Sequence, residues 1–310
     1  MAPVSRRIFV RSAIAGSAGA AFSLAGFESA FAREVRTPLA AAPLTDSLTL
    51  ITGAGANVVA ARGPDGALMV DGGLEDRSAA LLKLVSKATG TRSVRTLINT
   101  HWHPEQSGSN ERLGKSGARI ISHVNTKLWL QRRIVVAWRS SSYGPLAPKA
   151  LPTETTYTNG ALALGDEQVE YGYLQQAHTD GDLYVLFRKA NVLVAGGVVS
   201  SEGWPILDYE TGGWIGGLVA GLDKLLKLAD DNTRIVPANG PVITRADLQA
   251  QRTMYFTLYD RLVKSLTQGL GPDETAATEP AKEFNPQWGD ARPFVLMAFK
   301  SLWGHFAPDA

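Results

Sequence analysis

Cysteine is absent from this 310-residue chain. That excludes disulfides, thiolate metal ligands and a cysteine nucleophile, so any metal must be held by histidine and oxygen donors. Histidine is scarce, with five in all, which makes any clustering of them informative. An excess of charge is lacking too: 31 Lys+Arg face 29 Asp+Glu. Arg6, Arg7, Arg11 and Glu28 fall in the first 32 positions, which leaves 28 side chains of each sign in the rest. That balance gives no reason to expect nucleic acid or an anionic membrane surface as partner. A G-x-S-x-G nucleophile elbow is also missing, which counts against serine-based chemistry.

The N-terminus has a pattern of its own. Ser5-Arg6-Arg7-Ile8-Phe9-Val10-Arg11 precedes a mildly apolar, Ala/Gly-rich stretch over 12–27, and Ala30-Phe31-Ala32 offers a small-x-small cleavage site. The pattern resembles a twin-arginine export signal, removed over residues 1–32. It implies a periplasmic mature protein whose partner during biogenesis is the twin-arginine export machinery. Gly and Ser interrupt the stretch too often for a membrane span, so no stable membrane anchor is expected. Export of already folded protein suits a cofactor inserted in the cytoplasm and a domain that needs no disulfides.

Residues 33–46, rich in Pro and Ala, read as a linker, followed by one domain over 47–310. Strands are expected at 56–61 and Ala67–Val70, joined by a Gly63-Pro64-Asp65-Gly66 turn. A helix over 76–88 follows, with Leu81, Leu82, Leu84 and Val85 at helical spacing and a Thr89-Gly90 stop. Val94–Ile98 and 119–122 read as buried strands, with a short helix at Asn110–Lys115 between them. A longer helix is expected over 125–139, then a loop over 140–160. Strands at 168–174, 183–187 and 191–195 lead to a helix at Ile215–Leu228. A strand at 234–236 and helices at 245–266 and 290–303 complete the pattern. Strand–helix alternation with a hairpin at the front implies helices stacked over mixed sheets.

The chemistry gathers after the strand at Val94–Ile98, in Asn99-Thr100-His101-Trp102-His103-Pro104-Glu105-Gln106. Histidines at i and i+2 of an extended segment put both imidazoles on one side, where they can reach one ion. This stretch resembles the T-H-x-H-x-D-H signature of the metallo-β-lactamase superfamily. Four further landmarks match in order: Val70-Asp71-Gly72-Gly73, Ala177-His178-Thr179-Asp180-Gly181-Asp182, Val194-Ala195-Gly196-Gly197, and Val236-Pro237-Ala238-Asn239-Gly240-Pro241. The resemblance implies an α/β fold, a four-layer αββα sandwich of two mixed sheets flanked by helices. It also implies a first metal site on His101, His103 and His178. The family's second site is altered at every position, where Glu105, Gln106, Gly197 and Asn239 stand in place of Asp, His, Asp and His. Three imidazoles and an open position suit a catalytic zinc, whereas the remnant of the second site offers one carboxylate and weak amides. One zinc per chain is therefore expected.

That reading implies hydrolysis of a small-molecule ester, lactone or amide, with Glu105 as candidate catalytic general base. Its rival is a non-catalytic binding or accessory protein on the same fold. An iron-oxygenase reading lacks the carboxylate it would need at Gly197. Asp180 and Asp182 are either partners of a ligand imidazole or turn-forming residues, with the turn favoured. Asp71 is expected to tie loops together beneath the site, and His123 and His305 to be structural or exposed. Among Trp102, Trp129, Trp138, Tyr143, Trp204, Tyr209 and Trp214, residues Trp102 and Trp204 are the leading candidates to line a substrate cleft.

Overall fold

The computed structural model describes residues 37–306; the export signal read over 1–32 lies outside them. The first half of the chain builds strands β1 (Ala40–Pro43), β2 (Leu48–Thr52), β3 (Val58–Ala61), β4 (Ala67–Val70), β5 (Val94–Ile98) and β6 (Arg119–His123). Helices α1 (Ser78–Thr89), α2 (Pro104–Ser107), α3 (Asn110–Lys115) and α4 (Val124–Leu130) interleave with them. A small hairpin, β7 (Ile134–Val136) and β8 (Ser141–Tyr143), precedes β9 (Glu154–Thr156). The second half supplies β10 (Asn159–Leu164), β11 (Glu167–Leu174), β12 (Asp182–Phe187), β13 (Val192–Ser200) and β14 (Arg234–Asn239). With it come α5 (Ile215–Leu228), α6 (Arg245–Thr267), α7 (Pro272–Ala277), α8 (Asn285–Trp288) and α9 (Arg292–Phe306).

The strands form two mixed sheets, ordered β1-β2-β3-β4-β5-β6-β9 and β10-β11-β12-β13-β14. Period-2 alternation explains how they stack. Leu68 and Val70 of β4, with Ile98 and Ile121, meet Leu183, Val185 and Phe187 of β12 in the core between the sheets. The intervening Ala67 and Met69 face outward onto Leu81 and Val85 of α1. On the far side, Tyr184, Leu186 and Leu193 pack on Leu218 and Leu222 of α5, with Leu258 of α6 and Phe299 of α9. Each fully buried side chain of this kind contributes roughly 1.5–3 kcal/mol. The result is the expected four layers, helix–sheet–sheet–helix.

Several expectations need correction. The helix expected over 125–139 ends at Leu130, because the β-branched run Ile134-Val135-Val136 pairs with β8 as a hairpin. The stretch expected as a linker contains edge strand β1, paired Ala40↔Thr52 to Pro43↔Thr49. Every β1 side chain is exposed, so no apolar periodicity marks it, and Pro43 sits at its end, where a missing donor is tolerated. Strands β8 and β9 lie wholly inside the expected 140–160 loop, and β10 begins in it. The alternating exposed and half-buried residues of β10 carry little hydrophobic signal.

Two sets of parallel neighbours, β4-β5-β6-β9 and β13-β14, run within otherwise antiparallel sheets. Three of the five landmarks lie at the carboxyl ends of β4, β5 and β14, the usual place for a site in an α/β sheet; the other two lie on the β11–β12 loop and inside β13.

Candidate metal centre

His101 follows the end of β5, and His103 caps α2 with Pro104 in the first turn. The two imidazoles meet as expected, although residues 100–103 are bends and not a strand. The His101 and His103 rings lie 4.5 Å apart, while Trp102 between them packs with Leu130, Ile134 and Val136. His178 comes from the loop between β11 and β12, its ring 4.6 Å from His101 and 4.7 Å from His103. All three are buried, and their ligating atoms lie within 4.8 Å of one another. Among the described residues, these three make the one such group.

Each ring is backed by an outer partner. Thr100 N and Oγ1 donate to Asp71 at 2.8 and 2.9 Å; Thr100 Oγ1 then accepts from His101 Nδ1 at 3.0 Å. His103 Nε2 donates to Asp208 Oδ2 at 3.1 Å. His178 Nδ1 donates to Asp182 Oδ1 at 3.3 Å. One nitrogen per ring is thus committed, leaving His101 Nε2, His103 Nδ1 and His178 Nε2 available as lone-pair donors. Carboxylate-backed imidazoles of this kind are the usual surroundings of a bound zinc.

The electrostatics agree. Burial, and then the neighbouring rings, hold His101 and His103 well below the ordinary histidine value, so both are neutral and ligand-competent at neutral pH. Burial pushes Asp71 up to about 8, against the two hydrogen bonds from Thr100. Asp71 adopts φ 65, a left-handed conformation that a short polar residue tolerates, and this places its carboxyl beneath Thr100. It ties the two loops together as expected, and through Thr100 it also orients His101. The donor set therefore fits zinc: three imidazole nitrogens that converge on one point, and no thiolate.

The two aspartates after His178 divide their roles. Asp182 does both jobs weighed from the sequence, since it backs the ring and accepts from His178 N and Thr179 N at 2.6 and 2.7 Å. Asp180 binds Trp129 Nε1 at 2.8 Å instead, and burial pushes it up to about 6.

The sequence offered no sign of Asp208. It lies outside every landmark and reaches His103 only through the fold, held by Thr211, whose Oγ1 in turn accepts from Trp102 Nε1 at 3.0 Å.

Glu105 does not join the three-histidine group. Its carboxylate pairs with Arg139 Nη1 at 2.9 Å, which ties α2 to the segment between β7 and β8. A general base would need that carboxylate turned to the centre; here Arg139 engages it, and the catalytic role expected for Glu105 stays a proposal. Gln106 is buried, and its Oε1 makes no hydrogen bond among the described residues. Asn239 ends β14, where its carbonyl accepts from Ser201.

The aromatic expectations also change. Trp102 is fully buried behind the histidines, and Trp204 stacks on Phe294 at 4.9 Å in the helical core. Trp138 packs against the centre at His103, its ring 4.4 Å from that imidazole. His123 stacks on Tyr173 at 4.0 Å and caps α4, a structural role, and the exposed His305 stacks on Trp214 at 3.6 Å.

A model of the metallo-β-lactamase superfamily matches residues 51–253, and the chain belongs to that superfamily. This places it in a hydrolase family that usually binds zinc. Comparison with curated protein sequences finds no matching relative. Among solved structures, a metallo-β-lactamase from Pontibacter korlensis is 18% identical with TM-score 0.57, covering 70% of this chain and 99% of its own. The DIM-1 metallo-β-lactamase is 19% identical with TM-score 0.57, covering 71% and 98%. The stereoselective inverting sec-alkylsulfatase Pisa1 from Pseudomonas sp. is 13% identical with TM-score 0.64; it covers 88% of this chain but only 51% of its own length. At these identities the likeness is one of fold.

Proposed function

We propose that the chain is an exported hydrolase that uses one zinc, held by His101, His103 and His178, to cleave a small ester, lactone or amide. One observation carries this reading: three buried imidazoles converge, each with its outer nitrogen committed to an oxygen partner. What zinc supplies when bound is Lewis acidity, which polarises a carbonyl and acidifies water. Asp208, Asp182 and the Asp71–Thr100 pair keep the rings in the tautomers that leave the ligating nitrogens unprotonated. Trp138 screens the His103 side from solvent. The four altered positions leave no carboxylate–histidine set for a second zinc, so no second ion stabilises a departing amine. Substrates with good leaving groups are therefore preferred over unactivated amides.

The pairing of Glu105 with Arg139 favours a second reading, a binding or accessory protein that keeps the fold and the metal without turnover. Zinc-loaded protein assayed on panels of esters and lactones separates the two. Turnover abolished by His103→Ala supports the hydrolase. Absence of turnover with zinc fully bound supports the binding protein.

A further inference from the structure

Gly197 is where the resemblance registers a missing carboxylate, yet the space beside it is already taken. A Cβ built there would stand 2.4 Å from Nδ1, 2.5 Å from Cε1 and 2.8 Å from Cγ of His178. At its neighbour Gly196, with φ 57, a Cβ would meet Thr100 Cβ at 2.8 Å and Oγ1 at 2.9 Å. Both glycines lie inside β13, every residue of which is buried. Glycine weakens a strand interior because it brings no side chain to pack, and it marks close approach of another group. Here two successive bare positions each receive a member of the centre. The register shift against β14 between Val194 and Gly196 distorts the strand locally, as a bulge does where a site is being aimed.

The His178 ring has little freedom to retreat. Its Nδ1 is held by Asp182, its backbone N by the same carboxylate, and the rings of His101 and His103 lie 4.6 and 4.7 Å from it. A methyl at 197 would therefore push the ring out of the three-histidine arrangement, since interiors have few voids to absorb it.

We infer that Gly196-Gly197 is the seat of the centre. It positions Thr100 and His178, and the His178 ring fills the volume that a side chain at 197 would need, so the centre is limited to one metal. The limit on metal number rests on the one-zinc reading above; the seating does not.

The test begins with metal-free protein. Gly197→Ala is expected to lower the thermal midpoint in the wild-type background. In a His178→Ala background the same change is expected to cost nothing, the double variant melting within about 2 °C of His178→Ala alone. An equal loss in both backgrounds would overturn the seating. If Gly197→Ala alone does not fold, rescue by His178→Ala supports the inference and failure of rescue contradicts it.

The second readout is the metal. Measured below its midpoint, Gly197→Ala should bind cobalt at least about tenfold more weakly and with an altered visible spectrum. Unchanged affinity and spectrum would count against the seat. Finally, a chain carrying Glu105→Asp, Gln106→His, Gly197→Asp and Asn239→His is expected not to gain a second zinc. Two bound zinc ions in that variant would show that the ring was no obstacle. Two in the unaltered protein would instead overturn the one-zinc reading, leaving the stability cycle to decide the seating.

Discussion

His103 Nε2 lies 3.1 Å from Asp208 Oδ2, joining residues 105 positions apart in one buried pair. A carboxylate that accepts from Nε2 fixes the proton there and leaves the Nδ1 lone pair for a metal. Asp208→Ala should therefore weaken zinc binding about 10–100-fold. Asp180→Ala should change it by less than about threefold, because Asp180 binds Trp129 and no ligand ring. Competition titrations against a chelating dye give both numbers. Equal losses in the two variants would mean that Asp208 acts only through general folding.

The metal-free protein should show a signature of its buried imidazoles in acid. His101 and His103 have folded values well below 6.5. As pH falls below 6.5 the unfolded chain takes up those protons first, so the stability they contribute is present above 6.5 and is lost down to the folded values. Asp71 and Asp180, pushed up to about 8 and about 6, act in the opposite sense: their contribution is present in acid and fades as pH rises through those values. A difference measurement separates the two effects. From about pH 7.5 to about pH 5, metal-free wild type should lose stability relative to a His101→Gln, His103→Gln double variant. Urea denaturation at each pH checks this, and a constant difference would contradict the depressed values.

Glu105 is expected to act as a tie between α2 and the β7–β8 segment. Glu105→Gln should leave zinc content unchanged and raise amide hydrogen exchange across 134–143. If the protein turns over a substrate, its kcat should fall by less than about tenfold, whereas loss of a general base costs about 10²–10⁴-fold. A loss in that larger range, without faster exchange, would return Glu105 to the role its position in the signature implies.

These contrasts mark how far the chain can be read directly. The layers were legible because β4, β5 and β12 carry strong apolar patterns and α5 a clean helical period. Strand β1 was not, since an all-exposed edge has no pattern to read. The three ligands were legible because local spacing and ordered landmarks identify them. Asp208 and Trp138 reach His103 only through long-range packing, and no local signal announces either. Gly197 was legible as a missing ligand but not as an occupied space, because occupancy depends on where the His178 ring comes to rest.

Export is a proposal with its own test. The mature protein should begin near Arg33, and an Arg6→Lys, Arg7→Lys double variant should lose export. Sequencing the N-terminus of periplasmic protein, alongside fractionation of the variant, checks both. A full-length periplasmic chain would contradict the cleavage, and undiminished export of the variant would contradict the twin-arginine route.

The central claim is a three-histidine centre that holds one zinc. Metal content of protein purified without chelators and then reconstituted with zinc tests it most directly, read by elemental analysis together with zinc X-ray absorption. The account predicts one zinc per chain in a nitrogen-dominated shell, lost in His101→Ala and His178→Ala and retained in Gln106→Ala and Asn239→Ala. Two tightly bound zinc ions per chain, or none after reconstitution, would contradict it.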